Sequence, residues 1–246
     1  MPNGNAAAES PLGLPHDLEP DHREFARALT AWLERGAVGS GSSTPRSGRS
    51  ASARDVLRVL TEFGLIVHEQ AIRLSVIARG DRSTIYTRHI LDSLNPVSFF
   101  RVPPKSLLDV GSGGGFPGIP LAVVWPGTQV TLLEAREKKC GFLEKSAREL
   151  GLKNVAVVCA RLEEFGSAWF KGGQEAASIR AVGALPNLLG HLVTICAPRA
   201  QWIYFLGQGT EEGEVVSRLG TFGKGATTAP GEFGGRLLRA EFPAVP

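Results

Sequence analysis

Five glycines fall within eight positions, 111–118, directly behind the apolar run 107–110, in the segment LLDVGSGGGFPGIPLA (107–122). This feature constrains the fold more than any other. A buried strand that runs into repeated glycines must turn sharply at its end. Without Cβ atoms, the turn also leaves room for a ligand against the backbone. Such a loop belongs at the carboxyl end of a strand in a layered α/β sheet, where those folds bind their ligands.

The rest of the chain agrees. From Ser106 onward, short apolar runs alternate with helical patterns: 106–111, 129–135, 154–160, 177–182, 201–207 and 236–242. Between the second and third runs, 136–150 places Cys140, Leu143, Ala147 and Leu150 on one face and stops at Gly151, a natural helix terminator. Alternating strand and helix predicts a mostly parallel sheet with helices on both faces. Ahead of it, Val56, Val59, Leu60, Phe63 and Val67 recur at helical steps, and two more apolar stretches, 71–78 and 86–94, follow before Pro96 discourages further helix. The expected organisation is a flexible tail and linker over 1–54, a small helical layer over 55–100 and the main domain over 101–246. Within the tail, 19–34 has the spacing of a short helix, and the Gly/Ser-rich 36–53 reads as linker.

Several classes are excluded. No apolar run reaches the roughly 18 to 20 residues of a membrane span, and residues 1–10 lack the pattern of a signal peptide. Three cysteines, Cys140, Cys159 and Cys196, are an odd number without metal-like spacing, which rules out a disulfide framework and a cysteine-based zinc site and makes a reducing, cytoplasmic setting the simplest reading. No metal is expected. The net charge of +3 is modest: residues 1–100 balance 11 basic against 11 acidic, and 101–246 carry 16 against 13. A nucleic-acid partner therefore has to be argued from a site and not from bulk charge.

Two ligand classes compete for the loop. Gly113, Gly115 and Gly118 satisfy the dinucleotide pattern G-x-G-x-x-G, but Pro117 and Pro120 flank the third glycine, so a regular helix starts only about there. Read from Asp109, the pattern is D-x-G-x-G-x-G, which resembles motif I of class I S-adenosylmethionine-dependent methyltransferases. In that reading the carboxylate of Asp109 lies near the ammonium group of the amino-acid tail. Glu134 ends the second strand 23 residues after Gly111, where an acid can accept hydrogen bonds from both ribose hydroxyls in either class. After the third strand, Leu162 is placed to cover an adenine face and Glu163 to meet its exocyclic amine; alternatively, the pair Glu163 and Glu164 simply opens a helix favourably for its dipole.

Five segments then converge in order: RHILDSL (88–94), the glycine loop, VTLLEAREKKCGFLE (130–144), GLKNVAVVCARLEEF (151–165) and SIRAVGALPNLL (178–189). Together they resemble the RsmG (GidB) family of bacterial methyltransferases, which methylate N7 of a guanosine in 16S ribosomal RNA. The resemblance covers about 84–207 and implies a class I, Rossmann-like methyltransferase fold, S-adenosylmethionine as cofactor, and 16S RNA or the small ribosomal subunit as partner, with the enzyme acting as a monomer. Residue by residue, Gly111, Gly113 and Phe116 fall on the family's cofactor loop, Leu162 and Glu163 on its adenine side, and Glu134 on the acid after strand two. Arg180 matches the arginine of its Ser-Arg-Ala motif at the cofactor and substrate face. Three segments depart from the family pattern, which leaves open a divergent member with another RNA or small-molecule substrate, or a non-catalytic cofactor-binding protein. Arg73, Leu74 and Ser75 stand where a Trp-Asn-Lys segment is usual, Gly141 replaces an arginine, and Leu206 replaces a lysine.

Two polar groups have alternative readings. Arg88 and Asp92, four apart on a helix, can pair with each other or contact RNA, with His89 bracing the helix. Arg136, Lys138, Lys139, Lys145 and Arg148 form a solvated helix face or, from the first turn, phosphate contacts.

Overall fold

The computed structural model of the chain describes residues 14–36, 52–165, 173–180, 185–207, 211–219 and 225–242. Seven strands form one sheet: β1 Ser106–Val110, β2 Gln129–Glu134, β3 Val155–Cys159, β4 Gln174–Arg180, β5 Cys196–Leu206, β6 Thr227–Pro230 and β7 Arg236–Glu241. Their order is β3-β2-β1-β4-β5-β7-β6. The first five are parallel, while β7 is antiparallel to β5 and β6 to β7. The strand order reverses between β1 and β4, so the carboxyl ends of these two strands flank the crevice where such sheets take ligands.

Strand alternation sorts the core into two layers. Leu107, Val130, Leu132 and Ala176 face the amino-terminal helices and α3 (Gly118–Val124), while Leu108, Leu133, Ala177, Ile179 and Trp202 face α5 (Leu185–Ile195). The expected mostly parallel sheet, covered on both faces, is thus observed. Strand β6 was not anticipated. It is a four-residue edge strand, TTAP, with no apolar run to reveal it, and Pro230 at its end suits an edge.

The amino-terminal layer is larger than the sequence suggests. Helix α1 (Glu19–Glu34), inside the stretch assigned to tail and linker, buries Phe25, Leu29 and Trp32. Phe25 stacks on Tyr86 at 5.2 Å, and Trp32 meets Phe233 edge-on at 5.7 Å. Each such side chain contributes about 1.5–3 kcal/mol, so α1 belongs to the folded body. Residues 1–13 and 37–51, also read as tail and linker, lie outside the described residues. Helix α2 (Ala53–Leu74) opens with a capping box between Ser52 and Asp55 and buries Val56, Leu60, Phe63 and Val67.

Beyond α2 the chain makes three short helical segments: a 3-10 turn Arg79–Thr84, a π-helix Ile85–Leu91 and a second 3-10 segment Asp92–Phe99. Pro96 lies inside the last of these and does not stop it; a change in hydrogen-bond step accommodates a residue that cannot donate. The buried Asp21 of α1 accepts the backbone N–H groups of Tyr86 (2.7 Å) and Thr87 (3.1 Å), fixing the start of the π-helix. That helix carries Arg88 and His89 to the crevice, and Asp92 follows directly. No helix among the described residues is long and apolar enough to cross a membrane.

Candidate active site

The glycine loop folds back over the end of β1. Gly111 has φ 70°, a left-handed conformation that a side chain resists, and its N–H donates to the carbonyl of Leu133 at 2.8 Å. At the other end of the loop, α3 begins at Gly118, where a Cβ would lie 2.2 Å from Leu132 Cδ2 and 2.8 Å from Asp109 Oδ2. This close helix-to-strand approach is the reason for the glycine, despite its flanking prolines.

Asp109 requires a correction. It is 1% exposed: Oδ2 accepts the N–H of Gly118 (3.2 Å) and Oδ1 the hydroxyl of Ser178 (2.8 Å). The carboxylate therefore shapes the loop from behind and does not face a cofactor's ammonium group. Phe116 is likewise turned inward, 6% exposed, between the rings of Phe63 and His89 at 5.2 Å each, so it anchors the loop to the amino-terminal layer instead of lining the crevice.

Burial pushes the Asp109 carboxyl up to about 6, against the lowering effect of its bonds to Ser178, Ser112 and Gly118. The folded value lies above the unfolded one, near 3.9. The stability this group contributes is therefore complete below about pH 4 and is lost as pH rises through about 6, an effect of about 3 kcal/mol. In Asp109→Asn this dependence disappears. Urea unfolding of both proteins from pH 4 to 7 should show the variant gaining on the wild type across that window; a constant difference would contradict the buried, ionisable role.

Glu134 stands where expected, at the tip of β2 and only 8% exposed. Its Oε2 accepts the N–H of Gly113 and its Oε1 that of Arg136, both at 3.0 Å. The loop and the start of α4 (Glu137–Glu149) are thus tied to one carboxylate. Leu162 is buried beside Leu133 and Phe165 at the end of β3, and Glu163 is exposed next to it. The residues around Glu163 and Glu164 form a turn, and the stretch that follows, 166–172, lies outside the described residues. Beneath them Cys140 of α4 and Cys159 of β3 form a disulfide, with Cα atoms 5.8 Å apart. The odd cysteine count prevents complete pairing but not a single pair, which packing of α4 on β3 brings together.

Arg180 ends β4 on the far side of the switch point. Its guanidinium bonds to Asp92 Oδ2 at 2.8 Å, to the carbonyl of Arg88 at 3.3 Å and to Ser93 Oγ at 3.4 Å, and lies 5.0 Å above the Phe205 ring. Asp92 therefore pairs with Arg180 and not with Arg88; Arg88 and His89 both turn to Asp81, at 3.3 and 3.2 Å. Burial, and then Arg180, press the His89 imidazole down to about 4. It is neutral at pH 7.

Sequence reasoning passed over the residues that hold this half together. Asn95, 1% exposed, donates to Asp92 Oδ1 and the carbonyl of Gly234, both at 2.8 Å, and accepts the N–H of Phe233 at 2.9 Å. The only signal was a polar side chain within an apolar stretch, LNPV (94–97). On the cofactor half, Arg73, Arg136, Lys138 and Lys139 line a groove between the end of α2 and the start of α4, and Lys139 Nζ reaches within 4.0 Å of where a Cβ on Gly113 would sit. Gly141, where the family usually has arginine, lies in the adjoining groove with Arg73, Lys138 and Lys145.

A seven-stranded sheet with one antiparallel strand, a glycine loop after β1 and an acid after β2 now stand together, and comparison with known proteins identifies them. The family model described as rRNA small subunit methyltransferase G (GidB) matches residues 57–219. The chain belongs to that family. The "Ribosomal RNA small subunit methyltransferase G" of Hydrogenovibrio crunogenus is 33% identical over 189 residues, 76% of this chain and 81% of that protein. The protein of the same name from Roseiflexus castenholzii is 29% identical over 78% of this chain and 85% of its own length. Among solved structures, a putative O-methyltransferase from Klebsiella pneumoniae superposes with TM-score 0.53 at 15% identity, covering 91% of this chain and 99% of that one. A SAM-dependent methyltransferase from Aquifex aeolicus gives 0.51 at 16% identity, covering 74% and 98%. These likenesses establish the class I methyltransferase fold, and with the family they make this chain an S-adenosylmethionine-dependent methyltransferase.

Proposed function

We propose that the protein transfers the methyl group of S-adenosylmethionine to N7 of a guanosine in 16S ribosomal RNA, as a cytoplasmic monomer acting on the small ribosomal subunit. One observation supports this above the others: on the two sides of one switch point the chain carries a glycine loop tied to Glu134 and a charged cavity around Arg180.

The residues present fit the cofactor. Gly111 and Gly113 leave the backbone open where a methionine tail would lie, and Glu134 retains acceptor capacity beyond its two backbone bonds, since a carboxylate has about four lone-pair sites. Glu163 offers an exposed acceptor for the adenine, and the buried Leu162 packs into the core beside it. Asp109 and Phe116 position the loop. When bound, S-adenosylmethionine supplies a methyl carbon made electrophilic by its sulfonium.

Guanine N7 carries a lone pair and no proton, so the protein needs no general base. Its task is alignment, a proximity effect. Arg180, held by Asp92 and Ser93, can orient the base through O6 or a phosphate without taking part in proton transfer. The basic groove beside the loop, from Arg73 to Lys139, gives sites for the RNA backbone, whose phosphates position the substrate without reading its sequence.

Replacing Glu134 by Gln keeps the shape but removes the charge that strengthens ribose hydrogen bonds and the bond from Gly113. Charge-assisted bonds contribute about 1.5–3 kcal/mol, so calorimetry should show S-adenosylmethionine affinity reduced at least tenfold; a loss under twofold would place Glu134 outside the site. A nicotinamide dinucleotide is the competing ligand for a loop of this kind. Titration with each ligand separates the readings: the expected result is saturable binding of S-adenosylmethionine and none of NAD.

A further inference from the structure

Beyond β4 and β5, on the opposite side of the switch point from the glycine loop, lies a cavity of about 360 Å³ lined among others by Arg88, Asp92, Arg180, Tyr204, Phe205 and Phe233. The pair at its centre is only partly enclosed: the side chain of Asp92 is 19% exposed and that of Arg180 18%. Asp92 uses one oxygen for Arg180 and the other for Asn95, which leaves about two of its four lone-pair directions open. Arg180 has five N–H donors, and among the described residues its acceptors are Asp92, Ser93 Oγ and the Arg88 carbonyl.

We propose that Asp92 and Arg180 read the Watson–Crick edge of the target guanine, Asp92 accepting N1–H and the N2 amine while Arg180 donates to O6. The inference rests on the proposed guanosine-N7 reaction and specifies its substrate pocket. The order of partners on the protein, donor then acceptor, matches the order acceptor, donor, donor along guanine from O6 to N2. Adenine would present its amine to the guanidinium and the N1 lone pair to the carboxylate, so both contacts would be repulsive. Gripping this edge leaves N7 free. It also demands an unpaired base, because pairing occupies the same atoms, and extruding a base from a stack is easiest where it is already single-stranded. The aromatic side chains Tyr204, Phe205 and Phe233 in the lining offer apolar and π surface for a purine ring.

The electrostatics agree with an unfinished site. Desolvation is the largest influence on both partners, raising the Asp92 carboxyl and lowering the Arg180 guanidinium. Asp92 is held in place from behind by Asn95, which also fixes the turn carrying Phe233 and Gly234. One polar clamp therefore shapes both the reader and the opposite wall of the cavity.

The test uses small subunits reconstituted with 16S RNA carrying either guanosine or inosine at the methylated position. Inosine lacks only the N2 amine. For the wild-type protein, kcat/KM should fall at least tenfold with inosine. For Asp92→Asn, the guanosine rate drops and the preference over inosine shrinks to within about threefold. A purely structural ion pair would lower both substrates equally and leave the preference intact, which would overturn the proposal; so would a wild type that methylates both substrates alike. If Asp92→Asn does not fold, Asp92→Glu serves, since moving the carboxylate by one methylene should also erode the preference. Absence of any transfer to guanosine-bearing subunits by the wild type would overturn the proposed guanosine-N7 reaction itself, an outcome distinct from an unchanged preference.

Discussion

Gly111→Val is expected to abolish binding of S-adenosylmethionine, with a loss of at least a hundredfold in affinity, while the protein still folds. Two effects combine. At φ 70° a β-branched side chain is an outlier, and the left-handed conformation costs about 1–2 kcal/mol for an ordinary residue. Relief of that strain shifts the loop that Gly111 anchors to Leu133 through its N–H. Where the loop stays in place, the branched side chain fills the space meant for the methionine tail. Gly111→Asn separates the two effects, because asparagine tolerates this conformation but still adds a Cβ. Its unfolding free energy should lie close to wild type, and its affinity for the cofactor should remain strongly reduced. Unchanged affinity in either variant, measured by calorimetry, would remove the loop from the cofactor site.

Arg180→Ala is expected to lower single-turnover methylation of small subunits by about two orders of magnitude. An arginine at the end of an apolar strand needs an anion: one on the RNA or cofactor leaves the apo protein indifferent to alanine, whereas a carboxylate of the fold loses its partner and costs stability. The structure supplies a partner within the chain, Asp92 at 2.8 Å, so stability also falls. Loss of one member of a fully buried pair costs about 3–5 kcal/mol. With nearly a fifth of each side chain exposed, a loss of about 2 kcal/mol is expected here. The double variant Arg180→Ala with Asp92→Asn removes the stranded charge and should regain most of that stability without regaining turnover. Recovery of turnover along with stability would mean that Arg180 serves the fold alone.

The glycine loop, the acid after β2 and six of the seven strands were legible because each is written locally. A run of apolar residues, a cluster of glycines and a carboxylate at a fixed offset need no knowledge of distant chain. What escaped depends on tertiary contact. Asp109 and Phe116 sit within the loop motif, yet their side chains turn to Ser178 and to Phe63 and His89, far away in sequence. Asp92 lies four residues from Arg88 but bonds to Arg180, 88 positions along the chain, because it opens the 3-10 segment that follows the π-helix and there faces β4 across the crevice. The apolar spacing of 19–34 marks helix α1 but not its place in the folded body, because the surface against which it buries Trp32 includes Phe233, near the other end of the chain. The disulfide between Cys140 and Cys159 escaped for the same reason, since counting cysteines ignores which two the fold brings together.

The central claim is that this chain methylates a guanosine at N7 in 16S RNA. It is tested most directly by mass mapping of 16S RNA from small subunits incubated with S-adenosylmethionine, with and without the protein. The account predicts one new methyl group, on a single guanosine, at a position sensitive to the cleavage chemistry specific for N7-methylguanosine, and its absence when Arg180→Ala replaces the wild type. A methyl group on another base or another atom of guanine, or an unmodified RNA in the presence of protein shown to bind S-adenosylmethionine, would contradict it.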